Sequence, residues 1–576
     1  MEGQKNLETL RHSTSHVMAA AIKKLYPDVK YGIGPAVENG FYYDLKFQKS
    51  ITPDDLGKIE KNMEEIIKAD LPFEKSEITK AKAKELFHNQ PFKLELIDDL
   101  PEEKVSIYTI GDFTDLCAGP HVKKTSEINA YKLLSIAGAY WHGDERNTML
   151  TRIYGTAFPN LEELEKYIHQ LSEAEKRDHR KLGRELGLFV FSDLVGPGLP
   201  LYTPKGTEVR RLIVKFSTEL REKIGYQFVH TQQINKAELF KISGHYDKYK
   251  DDMLKVTSHY TNEEYYLKPM NCPQHTQIYA SSKHSYKDLP IRYADFANLY
   301  RDEKPGELNG LARLRGFSQD DGHCFCREDQ ISEEFSKLLD VVCQAMKRYS
   351  MEYYIRLSLR DEENKANYIG TDDNWQKSQK ILERLLAEKK IDYIKAPGEA
   401  AFYGPKMDLM AKDAIGREWQ LSTIQLDFNM PQRFKLEYTG QDGKQYTPVL
   451  IHSAIAGSPE RFMGILIEHF AGAFPFWLAP IQMQVVPVSE KNFDFACKVY
   501  TKLINQGIRV DVDMSNETLG KKIRNAELQK IPYILVIGPK EAEKSTKDEL
   551  YISVRSREKG DIGAMAISQL LEEALR

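Results

Sequence analysis

The sequence predicts a multidomain α+β protein: an N-terminal α+β region, a central antiparallel β-sheet with flanking helices, and a small C-terminal α/β domain. Three observations carry this. The chain has 576 residues, too many for one core and enough for about three or four domains. Its middle contains YYIRLSLRD, which alternates, and MDLMAKDAIGREWQLSTIQLDF, which reads as two long strands joined by a glycine-containing turn. Beyond about residue 480 the rhythm becomes strand, helix, strand, helix, strand (IQMQVVPV, FDFACKVYTKLINQG, IRVDVDM, ETLGKKIRNAELQKI, PYILVIG), the alternation of a mostly parallel sheet.

From the N-terminus, LRHSTSHVMAAAIKKLY has the apolar spacing of a helix, and AYKLLSI and NTMLTRIYG read as strands. The segment LEELEKYIHQLSEAEKRDHRKLGREL is dense in charge and in helix formers but poor in apolar residues. It predicts one solvent-exposed helix bridging two domains. LVGPGLPLYTPKGTEVRRLIVKF then passes from turns into an amphipathic helix. The expected divisions are 1–157, a linker helix over 158–188, 189–480 and 481–576.

A net charge of -4 and a pI of about 6.5 exclude a globally basic nucleic-acid coat and leave room for local basic patches. Six cysteines without regular spacing argue against a disulfide scaffold and for a reducing compartment. The polar start MEGQKNLETL has no signal core, and no run is long and apolar enough to span a bilayer. A cytoplasmic protein with no membrane partner is expected. The chain has no internal repeat, P-loop or dinucleotide fingerprint, so a bound nucleotide must be held by arginines on the antiparallel sheet.

Two pairs of residues raise a metal question. His12 and His16 lie four apart and share one face of the first helix. Cys117 and His121 are also four apart, but Gly119 and Pro120 break that segment into a loop. Four N/S donors have the composition of a structural zinc centre, although such pairs usually have tighter spacing on at least one side. A packed helix beside an unrelated loop, and a metal-free polar site, are the other readings of these residues.

YRDEKPGELNGLARLRGFSQDDGHCF is the most informative stretch. Arg301 and Glu303 alternate on one strand face, a short glycine-containing loop follows, and Arg313 and Arg315 return on the expected partner strand. Guanidinium groups facing one another across a hairpin make a permanently charged receptor for phosphate or carboxylate. In SPERFMGILIEHF, Arg461 adds a cation at the start of an apolar helix, whose N-terminus also favours anions.

R-x-E with a returning arginine, followed by G-S-x-E-R, resembles motifs two and three of class II aminoacyl-tRNA synthetases. LKPMNCPQH, RGFSQDDGHCF, WQLSTIQLDF and IHSAIAGSPERF resemble the threonyl-tRNA synthetase family in particular, over nearly the whole chain. Members commonly begin with a small extra N-terminal domain, whereas this chain starts almost directly at the HSTSH helix. The alternatives are a synthetase for another class IIa amino acid, such as proline or serine, and a synthetase-like RNA-binding regulator without catalysis.

The resemblance implies a class II catalytic sheet between an editing domain and an anticodon-binding domain, in a homodimer paired around GPGLPLYTPKGTEVRRL. It implies ATP-dependent activation of L-threonine to threonyl-adenylate, transfer to tRNA(Thr), and hydrolytic editing of mischarged seryl-tRNA(Thr). ATP, with Mg2+, would meet Arg301, Glu303, Arg313, Phe317, Gln420 and Arg461. Of these, Arg301 and Arg461 are catalytic, and His245 matches a position that assists the transfer. Gln319, Asp321, Tyr403 and Gln425 would line the threonine pocket. One Zn2+ per subunit would be held by Cys272, His323 and His452. Such an ion answers a real difficulty, because threonine and valine have nearly one shape and only the hydroxyl separates them strongly. Serine shares that hydroxyl, so a second, hydrolytic site is expected. His12, His16, Cys117 and His121, with Lys93 and Asp115, match that site and are implied to work without a required metal. Asn516, Glu541 and Arg555 match anticodon contacts.

Overall fold

The computed structural model describes residues 2–575, with side chains from residue 6 onward. It forms two compact units, Met1–Glu173 and Ala174–Arg576. Among the described residues, no helix is long and apolar enough to cross a membrane.

In the first unit the helix Glu2–Leu25 is more than amphipathic. Val17, Met18, Ala19, Ala21 and Ile22 are all fully buried, and the run of alanines lets neighbouring elements approach closely. They pack with Phe41, Tyr43 and Leu45 of the strand Gly40–Lys46. That strand lies between Lys30–Tyr31 and Met149–Phe158 in an antiparallel sheet, and Met149–Phe158 pairs in turn with Ala130–Tyr140. A second antiparallel sheet runs Glu74–Thr79, Lys104–Ile110, Phe113–Leu116 and delivers Cys117 at its end.

The expected single bridging helix is two, Leu161–Arg177 and His179–Glu185. Asp178 interrupts them because its carboxylate caps the second helix, accepting from the Arg180 N–H at 2.8 Å. Nor is the second helix solvent-exposed throughout, since His179, Leu182 and Gly183 are buried.

The second unit is built on an eight-stranded sheet. Its order is Gln227–Phe228, Ile291–Tyr300, Gly316–Cys326, Val449–Ala454, Glu418–Asp427, Lys406–Lys412, Glu352–Leu359, Tyr393–Pro397. The six central strands are antiparallel, as expected, and both edge pairings are parallel. Period-two alternation divides the two faces. Met407, Leu409, Ile424, Leu426 and Ile451 face the cores built with the helices Pro204–Lys223, Ile331–Arg348, Asp372–Glu388 and Pro459–His469. The opposite face carries the polar residues of the site.

The last sheet is mixed: Val510–Val512, Met483–Pro487 and Tyr533–Ile537 are parallel, and Tyr551–Ser556 and Gly560–Ala566 complete it antiparallel. It is tied to the rest of its unit by Arg509, which donates to the Ala479 and Trp477 carbonyls at 2.9 and 2.8 Å, and by Gln529, which bonds Lys205 at 2.7 Å and the Glu185 carbonyl at 3.1 Å.

Candidate active site

The arginine hairpin differs from expectation in one respect. Arg301 and Glu303 lie beyond the strand Ile291–Tyr300, and Arg313 and Arg315 precede the strand Gly316–Cys326. Pro305 has no N–H to extend the ladder, and the Arg315 N–H is drawn to the Gly198 carbonyl instead, at 3.0 Å. The two ends still meet, because the Arg301 N–H donates to the Arg315 carbonyl at 2.9 Å. All four are therefore loop residues at the mouth of the sheet.

A cleft of about 290 Å³ opens there, and Arg301, Glu303, Arg313, Phe317, Gln420 and Arg461 all line it, together with Gln319. Arg313 pairs with Glu303 and Glu307 at 2.7 and 2.9 Å. Arg315, by contrast, spends its guanidinium on the Glu303 carbonyl at 2.9–3.0 Å and holds the loop. Arg301 and Arg461 have no carboxylate partner among the described residues. Arg301 lies over the Phe317 ring at 5.2 Å and Arg461 over Trp419 at 5.9 Å, and burial lowers the pKa of both. Two partly buried cations with no direct ion-pair partner among the described residues make a strong anion receptor. Glu460, beside Arg461, does structural work: it accepts from Arg210 at 2.8 Å and from the Ser318 N–H at 2.9 Å.

Along the strand Gly316–Cys326, Phe317, Gln319, Asp321 and His323 fall on one face. Asp320 points the other way, to Arg221 at 2.6 Å, Ser217 at 2.5 Å and the Ile455 and Ala456 N–H groups at 3.0 Å. Register then carries the site sideways, in a row Tyr293, His323, His452, Gln425, Lys406 across five strands. Cys272 joins from the first turn of the helix Cys272–Ala280. The ligand atoms of Cys272, His323 and His452 all lie within 4.8 Å of one another, and all three residues are buried.

Burial pushes the Cys272 thiol well up and the His323 imidazole well down. His323 Nε2 faces His452 Nδ1 at 3.0 Å, and His452 Nε2 is held by Asp427 at 3.0 Å. Neutral soft and imidazole donors oriented by an outer carboxylate form a group that could hold a metal ion. Tyr403 stacks on His452 with ring centroids 4.8 Å apart and donates to Gln425. Burial raises the Asp321 carboxyl to about 7, against the opposing pull of His452 and Arg221.

His245 lies in a helix. Gly244, at φ +85°, ends one helix and starts the short helix His245–Tyr249, which turns His245 inward to full burial. Its Nδ1 meets Ser243 Oγ at 2.8 Å, and its Nε2 lies 3.8 Å from Cys272 Sγ. Burial pushes its pKa down to about 3.

The first unit gathers His12, His16, Cys117 and His121, with ligand atoms within 4.8 Å of one another. Cys117 Sγ lies 3.4 Å from His12 Nε2 and 3.2 Å from His121 Nε2. Gly119, at φ +78°, makes the turn possible, since a Cβ there would meet Tyr108 Oη at 2.4 Å. Burial pushes the Cys117 thiol up to about 11 and His121 down to about 2, so the cluster is uncharged at neutral pH. Beneath it, Asp115 accepts from Lys93 and Tyr43, both at 2.5 Å. His16 Nδ1, 3.4 Å from Asp115 Oδ2, is not directed at it and is a buried nitrogen without a hydrogen-bond partner.

Asn516 is exposed in the loop after the strand Val510–Val512, and Arg555, in the last sheet, lies 3.6 Å from Glu527. Glu541 is committed internally, accepting from the Gly538 N–H at 2.9 Å and Ser553 at 2.7 Å.

Sequence reasoning passed over Tyr43, His275 and Lys406. His275 Nδ1 touches His323 Nδ1 at 2.8 Å, and Lys406 pairs with fully buried Asp408 at 2.8 Å. His275 lies inside LKPMNCPQH and Lys406 immediately precedes MDLMAKDAIGREWQLSTIQLDF; the signal was a polar residue within or beside a chemical motif. Tyr43, in an ordinary amphipathic strand, has no such signal.

Three family models match the chain: the tRNA synthetase class II core domain (G, H, P, S and T) over residues 254–470, the anticodon binding domain over 482–576, and the threonyl and alanyl tRNA synthetase second additional domain over 105–154. The threonine–tRNA ligase of Rubrobacter xylanophilus is 49% identical over 97% of this chain and 87% of its own. The chain belongs to the threonine–tRNA ligase family. The ligase of Gloeobacter violaceus, another relative, is 48% identical over 98% of this chain and 91% of its own. Among solved structures, the RNA binding domain of threonyl-tRNA synthetase from Cryptosporidium parvum matches with a TM-score of 0.65 and 38% identity, over 69% of this chain and 98% of that one.

Proposed function

We propose that the chain attaches threonine to tRNA(Thr) at the expense of ATP and hydrolyses seryl-tRNA(Thr) in its first unit. One observation carries this reading: two arginines with no direct ion-pair partner among the described residues, Arg301 and Arg461, line a cleft on the same sheet face as a buried Cys/His/His group. In the cleft, Phe317 stacks on adenine and Glu303, released from Arg313, accepts from its amino group, with Gln420 alongside. Arg301 meets the α-phosphate, and Arg313 and Arg461 hold the outer phosphates with Mg2+. Asp321 takes the threonine ammonium, Gln319 lies toward the carboxylate, and Tyr403 and Gln425 orient the remaining polar atoms.

Cys272, His323 and His452 would hold zinc, which when bound supplies a Lewis-acid position that the amino and hydroxyl groups of threonine complete and valine does not. In-line attack by the threonine carboxylate on the α-phosphorus then requires alignment and charge stabilisation, which the arginines provide. Threonyl-adenylate and pyrophosphate result. A ribose hydroxyl of the terminal tRNA adenosine next attacks the mixed anhydride, with His245 as the candidate base.

In the first unit His12, His16, Cys117 and His121 bind the seryl ester and orient water. Lys93 and Asp115 support the cluster from below. Asn516, Glu541 and Arg555 are assigned to the anticodon. The exposed apolar Leu194, Val195 and Leu201, next to the helix Pro204–Lys223, support pairing into a homodimer. All six cysteines are free, which supports work in the reducing cytoplasm.

A reciprocal pair of variants tests the reading. Arg301→Ala should abolish threonine-dependent ATP–pyrophosphate exchange while sparing seryl-tRNA(Thr) hydrolysis, and His16→Ala should do the reverse. Exchange retained by Arg301→Ala, or loss of both activities in both variants, would refute it.

A further inference from the structure

We propose that His179 is a positioning residue for ATP: its imidazole holds the turn Asn309–Arg313 in the shape that presents Arg313 to the nucleotide cleft. The inference rests on reading that cleft as the ATP site. The turn is tight, with the Ala312 and Arg313 N–H groups both directed at the Asn309 carbonyl, at 2.8 and 3.3 Å. The Leu311 N–H leaves this turn inward and donates to His179 Nε2 at 2.9 Å, while its side chain is 1% exposed. On the other side of the ring, Nδ1 donates to Glu468 at 2.6 Å. A carboxylate only accepts, so the proton sits on Nδ1, and Nε2 keeps the lone pair that the Leu311 N–H requires.

Burial alone would raise the Glu468 carboxyl, but the bonds from His179 and the charge of Arg417 outweigh it and hold it below its ordinary range. Arg417 reaches Glu468 at 2.5 Å. Glu468 lies in the last turn of the helix Pro459–His469, whose first turn carries Arg461. One imidazole therefore ties the turn that carries Arg313 to the helix that carries Arg461, the two cations assigned to the outer phosphates. Gly310 fits this contact in two ways. Its φ is +49°, and a Cβ there would meet His179 Nε2 at 2.2 Å. Asp178, His179 and Glu468 also form a donor group, but both ring nitrogens of His179 are already engaged and no lone pair is left for a cation.

Two substitutions separate the two bonds. In His179→Gln the side-chain amide reaches the Nε2 position and still accepts from Leu311, whereas in His179→Asn the amide stops at the Nδ1 position, serves Glu468, and leaves the Leu311 N–H buried without a partner. Exchange kinetics on the full-length chain should show the KM for ATP raised about tenfold in His179→Asn, with the KM for threonine within about twofold of wild type. His179→Gln should stay within about threefold of wild type for ATP.

Equal effects of the two variants, or parallel changes in both KM values, overturn the positioning role. Gly310→Ala opens the same contact from the other side, and the same selective rise is expected of it. An unchanged KM for ATP in Gly310→Ala overturns the proposal even if neither histidine variant folds. Wild-type exchange is the control: its absence refutes the ATP reading itself, whereas its presence with indistinguishable variants refutes only the role of His179.

Discussion

Adjacent residues in QDDGH do opposite work because a strand alternates its faces. Asp320 is spent on Arg221 and two backbone N–H groups inside the core, while Asp321 faces the site with its carboxyl raised to about 7 by burial. The same logic separates Glu460, which builds the motif, from Arg461, which faces the cleft. Cys272 contributes the one thiol of its group, and burial raises the pKa of that thiol well above its ordinary value; a bound cation would displace its proton. Elemental analysis should therefore give about one zinc per wild-type chain and close to none in Cys272→Ala. Equal zinc in the two proteins would remove the site as assigned.

At the scale of elements, glycines show where packing rather than propensity sets the sequence. Gly206 lies in the first turn of the helix Pro204–Lys223, and a Cβ there would stand 1.8 Å from the Leu188 carbonyl oxygen. Backbone cannot give way as a side chain can. Gly206→Ala should cost about 3 kcal/mol or more, read as a lowered midpoint of urea unfolding or as loss of soluble protein. Gly57 lies in the helix Pro53–Lys68 with nothing within 4 Å of its would-be Cβ. Gly57→Ala should stabilise the first unit by about 0.5–1 kcal/mol, seen as slower hydrogen exchange along that helix. Stabilisation by Gly206→Ala would contradict the packing described for it.

At the scale of the whole molecule, synthesis and the proposed RNA reading belong to distant parts of the second unit. Arg555 is in the last sheet, and among the described residues Glu527, 3.6 Å away, is its one ion-pair partner. Its loss should leave the cleft intact. Arg555→Ala is thus expected to reduce tRNA(Thr) charging about tenfold, the cost of roughly one base contact, while threonine-dependent pyrophosphate exchange stays at the wild-type rate. Equal loss of both activities would place Arg555 in the structure of the unit rather than in RNA contact.

Local pattern determined a good deal by itself. Alternation in MDLMAKDAIGREWQLSTIQLDF, the strand–helix rhythm after residue 480 and the i,i+4 spacing of His12 and His16 are set by neighbours in the chain, and local geometry follows from them. Only the tertiary structure decided that Arg301 and Glu303 leave their strand, that His245 is buried in a helix, and that the bridging segment breaks at Asp178. It alone brings Cys272, His323 and His452 within 4.8 Å, because register between distant strands depends on which faces the surrounding helices bury. Spacing along a chain records turns and periods. Contact across a sheet is a free-energy choice of the whole fold, and no short stretch of sequence contains it.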